Sequence, residues 1–108
     1  MNPEAKIRSL LSLCVKAGKL ETGETASERC LRNGTACVVI VAGNASDNTK
    51  GKFENKCFYY KKPFYIYDEI ESLSKCVGKN NRAVFTVTDI NFANQLENLL
   101  SQTRLAAV

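Results

Sequence analysis

Ala36-Cys37-Val38-Val39-Ile40-Val41-Ala42 is the longest apolar stretch of the chain. Seven residues are too few for a buried helix, and the β-branched centre suits an extended strand covered on both faces. Such a strand forms the core of a sheet. The run is also too short to cross a bilayer, and the N-terminus lacks the apolar segment of a signal peptide. No membrane partner and a cytoplasmic location are expected.

The segments on either side supply the covering helices. Downstream, Gly43-Asn44 turns the chain and Ser46 caps a helix with Phe53, Cys57 and Tyr60 on one stripe, which stops at Lys61-Lys62-Pro63. Phe64-Tyr65-Ile66-Tyr67 reads as a short strand, half core and half surface. Asp68-Glu69-Ile70-Glu71 fits a capping box for a helix buried through Ile70, Leu73 and Val77 and ended by Gly78. A polar, basic loop, Lys79-Asn80-Asn81-Arg82, leads to the strand Ala83-Val84-Phe85-Thr86-Val87. Thr88-Asp89 caps a last helix with Phe92, Leu96, Leu99 and Leu100 on its apolar face, which frays through Arg104-Leu105-Ala106-Ala107-Val108.

Upstream, Asn2-Pro3 opens a helix with Ile7, Leu10, Leu11, Cys14 and Val15 on one face, ending at Gly18. Lys19 to Thr22 is short and extended. A second helix follows Gly23 and stops at Asn33-Gly34, with a thin inward face of Ala26, Cys30 and Leu31. Arg29 and Arg32 lie three apart on it and can point together toward solvent or an anion. The alternation of helices and strands predicts one mixed or parallel sheet with helices on both faces, and the length of 108 residues fits a single domain spanning residues 1–108.

Composition narrows the chemistry. Fifteen Lys and Arg against eleven Asp and Glu leave a net charge of +4, compatible with a polyanion. There is no histidine, so Ser-His-Asp and Cys-His catalysis and mixed zinc sites are excluded. The five cysteines form no Cys-x-x-Cys pair and read as reduced, mostly buried small hydrophobes. Neither Gly-x-Gly-x-x-Gly nor a Walker lysine motif occurs, so no cofactor, metal or enzymatic activity is expected.

One segment looks built for a ligand. Lys19-Leu20-Glu21-Thr22-Gly23-Glu24-Thr25-Ala26-Ser27-Glu28-Arg29 joins a basic approach, a Thr-Gly turn and a helix opening. The first N–H groups of a helix are unpaired and carry partial positive charge, so they can bind phosphate oxygens or base edges. An ordinary capped helix is the plain alternative. The polar loop before the last strand adds to a site only if it lies beside Gly23.

Taken together, Leu11-Ser12-Leu13-Cys14-Val15-Lys16-Ala17-Gly18-Lys19-Leu20 with Gly23-Glu24, then Val41-Ala42-Gly43-Asn44-Ala45-Ser46, Asn48-Thr49-Lys50 and Lys56-Cys57, form an ordered set. Pro63, Ile70, Leu73, Val77-Gly78-Lys79, Arg82-Ala83-Val84 and Val87-Thr88-Asp89 with Phe92-Ala93 continue it. In this order the chain resembles the bacterial YlxQ-type proteins, within the superfamily of kink-turn-binding ribosomal proteins. The resemblance implies a three-layer α/β/α sandwich with a four-stranded mixed sheet. It also implies a monomeric RNA-binding protein, associated with the ribosome or translation and taking a structured, kink-turn-like RNA.

The RNA surface implied by the resemblance joins the turn before the second helix, with Lys19, Gly23, Glu24, Thr25, Arg29 and Arg32, to the loop Gly78, Lys79, Asn80, Asn81 and Arg82. Ribosomal members read guanines with an Asn-Glu pair in that turn. Counted back from Gly34, Gly23 falls on the family's Gly and Arg29 on its Lys, while Thr25 and Ala26 occupy the Asn and Glu positions. The turn and the cation are kept and the amide–carboxylate pair is not. Two function readings follow: an RNA-binding accessory protein, or a protein-interaction module of the same fold without specific RNA binding. Glu21, Glu24 and Glu28, beside the turn, favour the second. On the first, Arg29 should matter far more to RNA than Lys52 of the third helix.

Overall fold

The computed structural model describes residues 2–106. The elements alternate as the sequence predicts: α1 (Pro3–Lys16), β1 (Leu20–Thr22), α2 (Glu24–Asn33), β2 (Val38–Val41), α3 (Asp47–Tyr60), β3 (Phe64–Ile66), α4 (Ile70–Cys76), β4 (Val84–Val87) and α5 (Ile90–Ala106). Local signals set most boundaries. The Asn2 side chain accepts the Ala5 N–H at 2.8 Å, Ser46 Oγ accepts the Thr49 N–H at 3.1 Å, and Asp89 Oδ1 accepts the Asn91 N–H at 2.8 Å. Gly34, with φ 81°, ends α2 in the left-handed conformation.

The sheet order is β1-β4-β2-β3. β2 is central, antiparallel to β4 with Ile40 opposite Phe85, and parallel to β3 with Ile40 opposite Tyr65. Every residue of β2 and β4 is buried, as the continuous apolar runs require. Val38, Ile40, Phe85 and Val87 face α1, α4 and α5 through Ile7, Leu11, Leu73, Leu96 and Leu100. Val39, Val41 and Val84 face α2 and α3 through Cys30, Leu31, Phe53 and Cys57. The result is a three-layer α/β/α sandwich around a four-stranded mixed sheet.

Two local readings change. Asp68 does not form a capping box with Glu71: it sits at φ 57°, and its Oδ2 accepts the Ser72 hydroxyl at 2.8 Å. The cap of α4 comes instead from Asn44, whose Oδ1 accepts the Ile70 N–H at 2.7 Å while its Nδ2 donates to Glu71 Oε2 at 3.1 Å. A capping signal read along the chain misses a cap delivered from another loop. Asn44→Ala is therefore expected to cost about 1 kcal/mol, lowering the midpoint of thermal unfolding, as loss of an N-cap does. The final helix also extends farther than a fraying tail, reaching Ala106, because Leu96, Leu99 and Leu100 anchor it; residues 107 and 108 lie outside the described residues.

Strand direction determines where the loops gather. β1 and β2 are each antiparallel to β4, and β3 is parallel to β2, so β1, β2 and β3 all run one way. Their C-terminal ends meet the N-terminal end of β4 at one edge of the sheet. Short backbone bonds tie that edge together: Gly23 N–H to Val84 O at 2.8 Å, Ala42 N–H to Ala83 O at 2.9 Å and Gly43 N–H to Asp68 O at 2.7 Å.

Candidate functional site

Gly23 and Arg82 meet at this edge. Gly23 has φ 96°, a conformation L side chains rarely adopt, and a Cβ built on it would lie 3.6 Å from Arg82 Nη1. The α4–β4 loop thus does lie beside the glycine turn. α2 has no side-chain cap, so the amides that open it are left to the surface. Gly23 is not among these donors, because its N–H is committed to Val84 O.

The loop is held in shape from below. Ser74 is buried, and its hydroxyl accepts the Arg82 N–H at 2.8 Å and donates to the Arg82 carbonyl at 3.1 Å. Lys79 N–H reaches Ser74 O at 2.8 Å, and Gly78 and Asn81 take φ of 71° and 53°. One buried hydroxyl therefore clamps both backbone groups of Arg82 and leaves its guanidinium to point at Gly23. The helical pattern of the sequence already marks Ser74. Ile70, Leu73, Ser74 and Val77 follow helical i, i+3, i+4, i+7 spacing, so a hydroxyl occupies one position of an apolar stripe.

Two of the three carboxylates beside the turn, Glu24 and Glu28, are paired with lysines of α3. Thr49 Oγ1 donates to Glu24 Oε2 at 3.3 Å, and Lys52 Nζ lies 3.4 Å from Glu24 and 2.6 Å from Glu28, with Lys56 3.9 Å from Glu28. The hydrogen bond from Lys52 holds the Glu28 carboxyl below its usual value. Lys52 is thus a partner of the α2 carboxylates, and a glutamate there would free two negative charges beside the turn; it is no neutral reference for Arg29.

The remaining positions divide in two. Lys79, Asn80, Asn81 and Gly78 line an open cleft of about 530 Å³ with Ile70, Glu71, Ser74 and Lys75, next to Arg82. Thr25 and Glu24 are exposed on the first turn of α2. Arg29 is about 6–7.5 Å farther along the helix axis and lines a separate groove with Glu21, Cys30, Asn33, Thr35 and Thr88. Arg32 is exposed on the last turn of α2. Lys19 sits at the opposite end of β1 from Gly23, its carbonyl accepting the Thr88 N–H at 2.9 Å. Four extended residue steps separate them by about 13 Å.

Among the described residues no group of His, Cys, Asp and Glu could hold a metal ion. All five cysteines are free. Burial pushes the Cys14 thiol up to about 11, with the Asp89 charge adding to it, and burial pushes Cys57 up to about 12. At about pH 8 iodoacetamide should modify the half-buried Cys37 and Cys76 first, with buried Cys14, Cys30 and Cys57 reacting only as the protein unfolds. Peptide mass mapping over time reads that order.

The fold is a mixed sheet between two helical layers, with a glycine turn facing the arginine of a neighbouring loop. The chain belongs to the Ribosomal protein L7Ae/L30e/S12e/Gadd45 family, which it matches over residues 5–97. It is 40% identical over 91 residues to the RNA-binding protein YlxQ of Bacillus subtilis (strain 168), covering 84% of this chain and 91% of that one. It is also 40% identical over 96 residues to the RNA-binding protein YlxQ of Enterococcus faecium, covering 88% and 91%. Large ribosomal subunit protein eL30 of Trypanosoma brucei brucei is 29% identical over 86 residues, 78% of this chain and 82% of that one. A solved structure of a protein of unknown function from Bacillus halodurans C superposes with a TM-score of 0.87 at 34% identity, covering 90% of this chain and 98% of that one.

Proposed function

We propose that this protein binds a structured, sharply bent RNA at the loop-bearing edge of its sheet and serves the ribosome or translation as a non-enzymatic, cytoplasmic, monomeric accessory protein. The juxtaposition of the Arg82 guanidinium with Gly23 carries the reading. Where no Cβ intervenes, an RNA backbone can approach closely, and a guanidinium offers paired donors to a phosphate or a guanine edge. The uncapped opening of α2 adds amides and partial positive charge to the same spot. Lys79, Asn80 and Asn81 extend the contact along the loop, and Arg29 and Arg32 extend it along α2. The relatives named as RNA-binding proteins support the same conclusion.

Thr25 and Ala26 cannot supply an amide–carboxylate pair, so recognition rests on phosphate positions and RNA shape more than on base edges. Titrating kink-turn, mismatched-stem and plain duplex RNA at low salt tests this. The bent RNAs should bind most tightly, with log affinity falling against log salt by about 0.9 per neutralised phosphate. Failure to bind any structured RNA would overturn the proposal. Thr25 and Ala26 are also what favours a protein-interaction module; its signature is partners retained in a pull-down after nuclease treatment.

A further inference from the structure

On the other side of α4 from the loop cleft lies a second groove, between α1 and α4, of about 440 Å³, lined by Arg8, Ser9, Ser12, Ser72, Lys75 and Cys76. Lys75 borders both, so one side chain links the groove to the cleft lined by Gly78 to Asn81. Arg8 and Lys75 are exposed, and among the described residues neither takes part in an ion pair; Lys52 and Lys56 are the cations that do.

Two of the three hydroxyls in this groove, those of Ser12 and Ser72, are oriented. Ser12 Oγ donates its hydrogen to the Cys76 carbonyl at 3.0 Å, and Ser72 Oγ donates to Asp68 Oδ2 at 2.8 Å. With those hydrogens spent, each oxygen has only lone pairs to present to a ligand. An anion alone gains nothing from such groups, whereas a ribose 2′-hydroxyl can donate to them. Asp68 and Glu4, one turn before Arg8, are anionic neighbours of the groove, so its phosphate contacts rest on Arg8 and Lys75.

We infer that the α1–α4 groove holds the ribose–phosphate backbone of the stem flanking the bent RNA, with Arg8 and Lys75 on phosphates and Ser12 and Ser72 accepting 2′-hydroxyl hydrogens. This rests on the RNA-binding reading and extends its footprint past the glycine turn. It also gives the protein a means of telling RNA from DNA, because the 2′-hydroxyl is the group that differs.

The test uses a kink-turn hairpin with a long flanking stem, made with ribose or with 2′-fluoro sugars in the stem, which keep the A-form and remove the donor. Wild-type protein should bind the 2′-fluoro hairpin about tenfold more weakly, the worth of two modest hydrogen bonds. Replacing both Ser12 and Ser72 with alanine should erase that difference. Arg8→Glu, which leaves the Ser72–Asp68 bond in place, should flatten the slope of log affinity on log salt by about one phosphate. Lys6→Glu, on the α5 side of α1, should not. Equal binding of both hairpins by the wild type, or equal effects of Arg8→Glu and Lys6→Glu, would overturn the groove assignment while leaving RNA binding standing. No binding of either hairpin would remove both proposals.

Discussion

Arg82→Glu should weaken binding of bent RNA about a hundredfold, the loss of one charge-assisted contact joined to repulsion of the nearest phosphate. The substitution puts a carboxylate beside Gly23, where the proposed binding mode brings the RNA backbone closest. Folding should be almost unaffected, because Ser74 grips the backbone of Arg82 and not its side chain. Arg82→Lys separates charge from geometry: an ammonium keeps the sign and loses the paired donors, so about a tenfold loss is expected. Fluorescence anisotropy on a kink-turn hairpin, with a thermal melt of each variant, reads both. Wild-type affinity in Arg82→Glu would exclude the α4–β4 loop from the interface.

Gly43→Ala should lower stability by about 2–3 kcal/mol, at the upper end of what overpacking costs. A Cβ there would stand 2.8 Å from the carbonyl oxygen of Asp68, the same atom that accepts the Gly43 N–H at 2.7 Å. The neighbour is backbone and cannot swing away, so the bond joining the ends of β2 and β3 has to open. Asn44 follows directly, so α4 should lose its cap alignment as well. Gly51→Ala is the counterpart within α3: a Cβ there meets nothing within 4 Å. That change should stabilise by about 0.5–1 kcal/mol, the ordinary gain of alanine over glycine in a helix. Urea unfolding of the two variants should move in opposite directions; a neutral Gly43→Ala would mean that the strand ends have more room than these contacts show.

The fold was legible wherever the signal is local. Val38 to Val41 could only be a covered strand, and the caps at Asn2, Ser46 and Asp89 stand within three residues of the groups they bind. What sequence could not supply was strand order. Once β4 is placed between β1 and β2 and reversed, Gly23 and Arg82, 59 positions apart in the numbering, share one edge. The same reversal sends Lys19 to the other end of the sheet, although it is only four residues from Gly23. The pairing of Glu24 and Glu28 is likewise invisible in sequence, because the lysines that offset them come from α3. Asn44 acts through a partner twenty-six residues away, beyond any periodicity argument, and periodicity places Ser74 on the inner face of α4 without naming Arg82 as what it holds.

The Ser74 clamp also has a kinetic consequence. Arg82 belongs to a surface loop, yet its amide hydrogen is bound to a buried hydroxyl on a helix of seven residues. In deuterated water that hydrogen should not exchange at the pace of the loop around it. It should exchange when α4 opens, and in step with the amides of that helix, so the lifetime of one short helix sets how long the arginine stays aimed at the turn.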